Sequence, residues 1–521
     1  MRPRLYIALA VLGSFLLSGT AGAVTGASAV VAPVDLTFPD VVLPVYEAGP
    51  RLTISFTNSG STSVRMSTPK VQGTNSALFH GPAAGGAINL APGQTYAVVV
   101  EFLPYVAGAY QAELAVVTSE PGSPTVRVRL FGTARKATVL DNNIAGSRFV
   151  PLSPQRVLDT RTGLGGAPGA LGAGGSTVLQ LPLAAVDNAA SAVVLNVTAV
   201  DAAGPGYVTV WPAGKTQPVA SSLNLEAAGQ TIANLVTVGM GTARSVAFFS
   251  SGGTHLVADL AGYYVPTGAT SAGRYQPVSP ARALDTRVTG GPLQAGETRS
   301  LTVAGANGVP ASGASAVMLN VTAVGAGGAG FVTVWPADVD RPTASNVNPE
   351  RAGQTIPNQV VVRLPASGVL KLYSHNAADL VVDVVGWFTG ASAPSSVVGL
   401  FFPVGPVRLV DTRADAAPGP GSSTVVDAVA AGVSVDALAV TANVTATDAL
   451  GPGYVTAWTG AGTPPLASNL NVERAGQTIP NQVTSPLSAG HFALFTQRGT
   501  HLVVDLTGFY RGTGQTAFAA A

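Results

Sequence analysis

The sequence predicts an all-β protein in which an N-terminal β-sandwich is followed by three tandem homologous β-sandwich repeats. Apolar runs are short, rich in Val, Leu, Thr and aromatic residues, and separated by Gly, Pro or Asn, as strands joined by turns are. No window shows an amphipathic helical period with caps. One long unit also occurs three times, which sets the number of repeats.

Composition excludes several classes of function. The 521-residue chain has a formal charge of +1, only 10% charged residues and no Cys. A charge this small argues against a nucleic-acid partner. The lack of Cys excludes disulfides, thiolate metal sites and thiol nucleophiles. We expect neither a cofactor nor a metal ion.

Residues 1–23 have the features of a secretory signal peptide. Arg2 and Arg4 precede an apolar stretch, and Ala21-Gly22-Ala23 supplies small residues at a cleavage site. An uncleaved anchor is the alternative, but the stretch is shorter than the roughly 20 residues that span a bilayer. We therefore expect a secreted, extracellular protein without a membrane span after cleavage, free or held non-covalently at the cell surface.

Residues 33–134 alternate apolar and polar side chains with a period of two. The segment YAVVVEF (96–102) places three apolar side chains on one face and Glu101 on the other. Pro92-Gly93 before it fits a type II turn, with Pro presetting φ and Gly taking the positive-φ position. The pattern predicts a seven-stranded immunoglobulin-like sandwich without its disulfide.

Short stretches of this first domain carry a family resemblance: FTNSG (56–60), LAPGQTYAVVVEFLP (90–104), AGAYQAELAVVTS (107–119) and VRLFGTA (128–134). The domain resembles the immunoglobulin-like domains of the abnormal-spindle, hydin and major-sperm-protein type, called choice-of-anchor D in bacteria. The resemblance is confined to residues 33–134. It implies a scaffold or interaction module without catalytic residues.

Three copies of one unit follow. The opening motif R-x-x-D-T-R begins at residues 156, 282 and 408, a spacing of 126 residues. The closing motif D-x-x-G-[YFW]-[YF] begins at Asp259, Asp383 and Asp505. Each copy is long enough to have its own core. The predicted sandwiches occupy residues 148–265 (repeat 1), 274–389 (repeat 2) and 400–511 (repeat 3).

The joints between repeats, 266–273 and 390–398, are rich in small residues, Pro and Gly, as linkers are. Three separate sandwiches in tandem are therefore the favoured arrangement. A single closed assembly of the three units, such as a propeller, is the alternative. The opening and closing motifs resemble those of repeats in secreted actinobacterial cell-surface proteins, and this resemblance implies location rather than chemistry.

The opening motifs supply a recurring trio of charged residues: Arg156, Asp159 and Arg161; Arg282, Asp285 and Arg287; Arg408, Asp411 and Arg413. One interpretation is a clamp for an anion or for sugar hydroxyls, because guanidinium groups bind such acceptors well. The favoured interpretation is a structural ion pair with the Asp of the closing motif, since charges are so scarce in this chain.

An aromatic pair recurs on one strand of each repeat. The pairs are Tyr207 with Trp211, Phe331 with Trp335, and Tyr454 with Trp458. Residues four apart on a strand share a face. Such a pair can form a platform for a sugar ring, and it can equally be the largest block of the core, which is the favoured interpretation.

Three further sets of polar residues recur. Asn196, Asn320 and Asn443 lie mid-strand, where we expect each amide to bind backbone groups of a neighbouring loop, in preference to glycosylation at N-V-T. Glu226, Glu350 and Glu473 are expected to be solvated turn carboxylates, with cation binding as the alternative. His255 and Asp259 are about 13 Å apart along a strand, too far to chelate one ion.

No recognisable catalytic motif is present, and a triplicated unit suits binding or spacing better than turnover. We therefore expect a secreted or cell-surface structural or adhesive protein without catalytic activity. The alternative is a carbohydrate- or cell-wall-binding protein that uses the repeated aromatic residues, and an exported hydrolase is the third possibility. The expected partner is cell-wall polysaccharide or another surface protein, because several weak sites on one chain raise avidity.

Overall fold

The computed structural model of the chain describes residues 30–38, 41–43, 50–82, 86–104, 108–119, 125–136, 146–166 and 168–512. The signal peptide predicted at residues 1–23 lies outside these residues. The chain divides into two compact units, Met1–Arg135 and Lys136–Ala521, hereafter units 1 and 2. In the described part of the chain, helix is limited to short 3-10 turns at Ser76–Leu78, Thr242–Arg244, Thr412–Ala414 and Val429–Ala431. No helix of these residues is long and apolar enough to cross a membrane.

Unit 1 is an immunoglobulin-like sandwich of two main sheets. Its strands are β1 (Val30–Val31), β2 (Asp35–Thr37), β3 (Val41–Leu43), β4 (Arg51–Asn58), β5 (Val64–Met66), β6 (Lys70–Gln72), β7 (Phe79–His80), β8 (Ile88–Leu90), β9 (Thr95–Phe102), β10 (Gly108–Val117) and β11 (Thr125–Lys136). One sheet has the order β1-β4-β9-β7, and the other has the order β2-β11-β10-β6, with β3 also on β11. Strands β5 and β8 form a separate pair.

The period-two alternation of apolar and polar side chains in the sequence correctly predicts which residues of β9 form the core of unit 1. Val98, Val100 and Phe102 on β9 are buried, whereas Val99 between them is half exposed. Gly93 has a φ of +76°, and the amide of Gln94 donates to the carbonyl of Ala91, so the predicted turn forms.

Unit 2 contains the three repeats. Repeat 1 has strands β12 (Ser147–Asp159), β13 (Gly175–Gln180), β14 (Ala192–Val200), β15 (Gly206–Pro212), β16 (Leu223–Leu225), β17 (Ile232–Gly239), β18 (Ser245–Ser250) and β19 (His255–Pro266). Repeat 2 has β20 (Tyr275–Asp285), β21 (Thr298–Thr302), β22 (Ala314–Val324), β23 (Val332–Pro336), β24 (Ile356–Arg363), β25 (Val369–Ser374) and β26 (Asp379–Thr389). Repeat 3 has β27 (Phe401–Asp411), β28 (Ser422–Asp427), β29 (Ala439–Thr447), β30 (Gly453–Trp458), β31 (Leu470–Val472), β32 (Ile479–Pro486), β33 (His491–Thr496) and β34 (His501–Tyr510).

Each repeat is a sandwich of two antiparallel sheets, as predicted. In repeat 1 the inner sheet has the order β17-β14-β19-β12 and the outer sheet has the order β13-β18-β15-β16. Repeats 2 and 3 have the corresponding inner sheets β24-β22-β26-β20 and β32-β29-β34-β27, and the outer sheets β21-β25-β23 and β28-β33-β30-β31. Ser147 pairs with Phe401, which joins the inner sheets of repeats 1 and 3 into one eight-stranded sheet.

The favoured prediction of three sandwiches in tandem is confirmed. The repeats are not separate bodies, however, and the expectation that each has a core of its own was wrong. One hydrophobic cluster contains buried residues of all three repeats. Strands β17, β24 and β32 each contact the other two. The alternative of a closed assembly describes unit 2 better, with sandwiches rather than propeller blades as its elements. The reason is that the inner sheets are apolar on both faces, so each needs a neighbour to cover its second face.

The predicted linkers are ordered parts of this assembly. Thr270 of the first joint forms a β-bridge with Ser396 of the second. Arg274, which is buried, donates to the carbonyls of Pro394 (2.7 Å) and Val398 (3.1 Å). The joints therefore pair with each other instead of separating the repeats.

Six buried aromatic rings, two from each repeat, form a closed cycle, hereafter the aromatic cycle. In order of contact they are Phe149, Phe388, Tyr275, Tyr510, Phe401 and Tyr264. Neighbouring ring centroids are 4.2–5.3 Å apart, and every second contact crosses from one repeat to the next. The cycle explains why each repeat begins and ends with an aromatic residue.

The glycine of each closing motif makes room for a ring of this cycle. A Cβ atom at Gly508 would lie 2.1 Å from the ring of Phe401, and one at Gly386 would lie 2.2 Å from the side chain of Tyr275. No ordinary Cβ contact is that short, so the rings pack directly on the backbone at these glycines.

Substitution of Gly508 by Ala should lower the free energy of unfolding of unit 2 by about 1–3 kcal/mol, because the added methyl overpacks the aromatic cycle. Chemical denaturation followed by tryptophan fluorescence measures this. Gly451→Ala is the matched control, since a Cβ there would meet nothing within 4 Å. Equal stability of the two variants would contradict the packing explanation.

Candidate functional site

The first arginine of each opening motif pairs with the aspartate of the closing motif. Arg156 donates from Nε (2.9 Å) and Nη2 (3.1 Å) to the two carboxylate oxygens of Asp259. Arg282 with Asp383 and Arg408 with Asp505 repeat this contact. The pairs join the first and last strands of each inner sheet, which is the structural interpretation of the motif.

Within the same motif, the aspartate binds both arginines. Asp159 accepts from Arg156 (3.3 Å) and, through both of its oxygens, from Arg161 (2.9 and 2.7 Å). The hydrogen bonds from Arg161 lower the pKa of Asp159 to about 2. Burial instead raises the pKa of Asp259, although Arg156 opposes the shift. The four charges balance, and Arg156 serves an internal network rather than an open anion clamp.

The first arginine also reaches the neighbouring repeat. Its Nη2 donates to a loop carbonyl: from Arg156 to Thr343 (3.2 Å), from Arg282 to Leu466 (2.6 Å), and from Arg408 to Val219 (3.0 Å). Repeat 1 thus binds repeat 2, repeat 2 binds repeat 3, and repeat 3 binds repeat 1. The second arginine of each motif is about half exposed.

The threonine of the opening motif also binds the last strand of its own repeat. Thr160 Oγ1 accepts from the amide of Leu256 (3.0 Å) and contacts His255 Nδ1 (3.1 Å). In repeat 2 the corresponding Thr286 donates to Asp379 (2.6 Å). His255 and Asp379 therefore have the same structural role, which is to bind the threonine of the opening motif. Among the residues that the structure describes, no three His, Asp or Glu side chains lie close enough together to hold a metal ion.

The mid-strand asparagines bind across the interfaces between repeats. Asn196 of repeat 1 donates to the carbonyl of Ser345 (2.6 Å) and accepts from Asn358 (2.9 Å), both in repeat 2. Asn320 donates to Ser468 and Asn443 to Ser221, each in the next repeat of the cycle. All three are at least 93% buried, so the N-V-T triplets are inaccessible to glycosylation in the folded protein.

The turn glutamates bind the neighbouring repeat too, and the expectation of solvated carboxylates was wrong. Glu473 accepts from the amide of Thr355 (2.7 Å) and from Arg351 (2.5 Å) of repeat 2. Glu226 likewise accepts from Thr478 and Arg474 of repeat 3. The cation-binding alternative is also unsupported, because backbone amides and arginines occupy the carboxylate oxygens.

The contact between repeats 1 and 2 lacks one of these arginines. Glu350 accepts from the amide of Thr231 and from Gln230 (3.3 Å), and Ala227 stands where the other repeats have Arg351 and Arg474. Burial raises the pKa of Glu350.

Substitution of Ala227 by Arg should therefore raise the stability of unit 2 by about 0.2–1 kcal/mol, the usual range for an exposed pair. The thermal midpoint at low and high salt measures the effect, and the gain should shrink at high salt. Ala228→Arg is the control, since its place in the turn has no arginine in the other repeats. A gain of equal size in both variants would mean that Glu350 is not the partner.

The tryptophans are buried, in agreement with the favoured interpretation that they belong to the core, and the alternative of a ligand platform built on them is not supported. Trp211, Trp335 and Trp458 are 8%, 3% and 6% exposed. The indole N–H of Trp211 donates to the carbonyl of Lys215 (3.0 Å), and that of Trp335 to Val339 (3.2 Å). In repeats 1 and 2, the loop that follows the strand therefore folds back to the tryptophan ring.

The other aromatic residue of each pair is more accessible. Tyr207 is 40% exposed and lies 5.9 Å from the ring of Phe249. Phe331 and Tyr454 are partly buried and contact Tyr373 (5.7 Å) and Phe495 (6.0 Å), respectively. The outer sheets therefore carry aromatic pairs that solvent reaches in part.

The interfaces between repeats contain cavities. A cavity beside Asn443 and Gln482, between repeats 3 and 1, has a volume of only about 20 Å³, which is room for a water molecule. A cleft between repeats 2 and 3 has a volume of about 350 Å³ and is open to solvent. The cleft contains Arg282, Arg287 and Tyr454 among its lining residues. It brings both arginines of an opening motif together with an aromatic residue of the next repeat.

Comparisons with known proteins add little to this geometry. No protein-family model matches the chain, and no curated protein matches it. Among solved structures, the PapD-like domain 7 of human CEP192 is 20% identical, covers 23% of this chain and 97% of its own, and has a TM-score of 0.16. The YadV chaperone is 9% identical over 44% of this chain and 96% of its own, with a TM-score of 0.16. The SGBP-B protein of Bacteroides ovatus, solved with a mixed-linkage heptasaccharide, is 12% identical over 92% of this chain and 98% of its own, with a TM-score of 0.13.

These TM-scores are too low to support a functional argument. The fold defines the class of protein: an all-β, multi-domain chain with an immunoglobulin-like sandwich and a closed assembly of three homologous sandwiches.

Proposed function

We propose that this is a secreted, non-catalytic structural and adhesive protein that acts at the cell surface. The observation that carries the proposal is that the recurring polar residues bind one another and neighbouring repeats, which leaves few of them to act on a substrate. Arg156, Asp159, Asn196, Glu226 and their counterparts bind other residues of the assembly. Triplication has thus produced one rigid scaffold, and the recurring polar residues maintain it.

The signal peptide predicted at residues 1–23 supports export. The resemblance of the opening and closing motifs of the repeats to those of secreted actinobacterial proteins points to the same location. We further propose that unit 1 belongs to the choice-of-anchor D type of immunoglobulin-like domain. Domains of that type are interaction modules, which agrees with an adhesive role.

Expression with the native leader in an exporting bacterial host tests the location. We expect the mature chain to begin at Val24 and to appear in the medium or in a surface fraction released by washing. Intact-mass measurement of each fraction gives both results. Retention of the full-length chain inside the cell would overturn the proposal.

The absence of catalysis is tested separately on panels of glycan and peptide substrates with the purified mature chain. We expect no turnover above buffer. A turnover that a single substitution in unit 2 abolishes would establish an enzyme instead.

Carbohydrate is the second candidate, as the ligand of the adhesive function. The observation that favours it is the partly accessible aromatic residue of each outer sheet, Tyr207, Phe331 and Tyr454. A partly exposed ring next to polar side chains is a suitable surface for a sugar, which has apolar and polar faces of its own.

A further inference from the structure

The cleft between repeats 2 and 3 has the properties of a built ligand site. Repeat 2 contributes the opening-motif arginines and Thr322, and repeat 3 contributes Tyr454 and Asn471. A volume of about 350 Å³ lies at the lower end of the usual size for small-molecule pockets. It is sufficient for one or two sugar residues.

A buried hydroxyl without a partner lies against this cleft. Thr322 is 3% exposed, and its Oγ1 has no hydrogen-bond partner although it is shielded from solvent. The counterparts Thr198 and Thr445 are equally buried and equally unpartnered. Because buried polar groups are nearly always paired, the same unsatisfied hydroxyl in all three repeats indicates a partner that comes from outside the chain.

Two donors border the same cleft. Asp285 binds Nε and Nη2 of Arg287, which leaves Nη1 of this half-exposed side chain without a bond. Asn471 accepts from Ser468 through Oδ1 (3.0 Å), which leaves its amide NH₂ group to donate. The cleft therefore offers hydrogen-bond donors to a ligand rich in oxygen acceptors.

Apolar contact is available beside these donors. Tyr454 is the cross-strand neighbour of Asn471, so their side chains stand together on the outer sheet. Leu466, on the loop whose carbonyl binds Arg282, is 93% exposed and also lines the cleft. The solvent-exposed side chain of Leu466 and the ring of Tyr454 together suit a ligand with an apolar face.

The other two interfaces bring together the corresponding residues. The contact of Arg156 with Thr343 and that of Arg408 with Val219 place the same loop beside the same strand. The residues of the cleft have counterparts at both of these interfaces. Between repeats 1 and 2 they are Arg161, Thr198, Phe331, Thr343 and Asn348. Between repeats 3 and 1 they are Arg413, Thr445, Tyr207, Val219 and Asn224. In both cases the order is that of Arg287, Thr322, Tyr454, Leu466 and Asn471.

We propose that these three interfaces bind pyranose residues of a polysaccharide. The apolar face of the sugar packs on Tyr454 and Leu466, and its ring and hydroxyl oxygens accept from Arg287 and Asn471. The Thr322 hydroxyl, which is shielded from solvent in the unliganded protein, turns into the cleft and gains its missing partner. The inference rests on the proposed adhesive function and names its ligand. Three weak sites on one rigid body give strong retention on a repeating polymer.

The test is affinity electrophoresis of the full mature chain in gels that contain dextran, galactan or polygalacturonate. We expect at least one polymer to retard the wild-type protein. Retardation by the neutral polymers indicates recognition of hydroxyls, and retardation by polygalacturonate alone indicates recognition of a carboxylate-bearing sugar. If none of the three retards the chain, the proposal is overturned, while the export experiment still decides the proposed function.

Substitution of all three threonines (Thr198→Val, Thr322→Val and Thr445→Val) distinguishes a ligand site from a purely structural defect. Loss of an unpartnered hydroxyl should leave stability unchanged or raise it. If the hydroxyls bind sugar, affinity should fall by about fivefold per site. Unchanged retention with intact folding would overturn the proposal.

The aromatic residues provide a matched pair of variants. Tyr454→Ala combined with Phe331→Ala and Tyr207→Ala should abolish retardation, whereas Tyr454→Phe with Tyr207→Phe should preserve most of it, since Phe331 is already a phenylalanine. Val425→Ala, an exposed change on a strand outside these interfaces, should have no effect. Equal retention by the alanine and phenylalanine sets would contradict a role for the rings.

Discussion

Replacing Asp259 by Ala should lower the free energy of unfolding of unit 2 by about 3–5 kcal/mol. The carboxylate is 1% exposed and accepts two hydrogen bonds from Arg156. Removal of one partner of a buried ion pair is strongly destabilising, and of its carboxylate contacts Arg156 would keep only the longer one, with Asp159 (3.3 Å). Arg156 also binds the carbonyl of Thr343 in repeat 2, so the loss extends to the contact between repeats. Urea denaturation monitored by circular dichroism measures the change.

Two controls make this prediction specific. Asp35→Ala removes the partner of Arg129 in unit 1, where both side chains are about half exposed, and should cost at most about 1 kcal/mol. The double variant Arg156→Met with Asp259→Ala should cost less than the sum of the two single changes, because no unpaired charge remains. Strict additivity of the two changes would show that the pair does not act as a unit.

The strands and the pairing of the motifs could be predicted from the sequence because both depend on local pattern. Alternation with a period of two placed β9 and its core residues correctly. The scarcity of charges pointed to an ion pair between the opening and closing motifs, and Arg156 lies against Asp259. These features needed no knowledge of how the repeats are arranged.

The closed assembly could not be predicted in the same way, although its signal was present in β14. Val193, Leu195 and Val197 face the core of the sandwich, whereas Ala192 and Val194 on the opposite face join the aromatic cluster between repeats. A sheet with one face in water would carry polar residues at the latter positions. The near-continuous apolar run AVVLNVTAV was therefore evidence for a second covered face.

The candidate site depended on this arrangement and was missed for the same reason. Thr322 and Tyr454 are distant in sequence and meet only where repeat 2 packs on repeat 3. The burial of Trp211 depends on a loop that folds back to Lys215, which residue spacing on the strand does not reveal. In each repeat the tryptophan of the aromatic pair is buried, whereas its Tyr or Phe partner is partly exposed. This difference could not be predicted from the strands one at a time.

Replacement of Phe388 by Ala should destabilise all three repeats together. Its ring is fully buried and lies 4.5 Å from Phe149 of repeat 1, 5.3 Å from Tyr275 of repeat 2 and 6.4 Å from Tyr510 of repeat 3. Truncation of a buried Phe to Ala costs about 3–5 kcal/mol through lost burial and the cavity left behind. Because the ring belongs to no single sandwich, we expect one cooperative transition of unit 2 that moves to lower temperature as a whole.

Scanning calorimetry of the full chain distinguishes this result from local damage. Phe249→Ala removes a half-buried ring from the outer sheet of repeat 1 and should cost only about 1 kcal/mol. If the Phe388 variant instead showed an early transition of repeat 2 followed by unshifted melting of repeats 1 and 3, the repeats would be thermodynamically independent. Such behaviour would be incompatible with a shared core. If all three repeats depend on the Phe388 ring that they contact, its removal must destabilise all three.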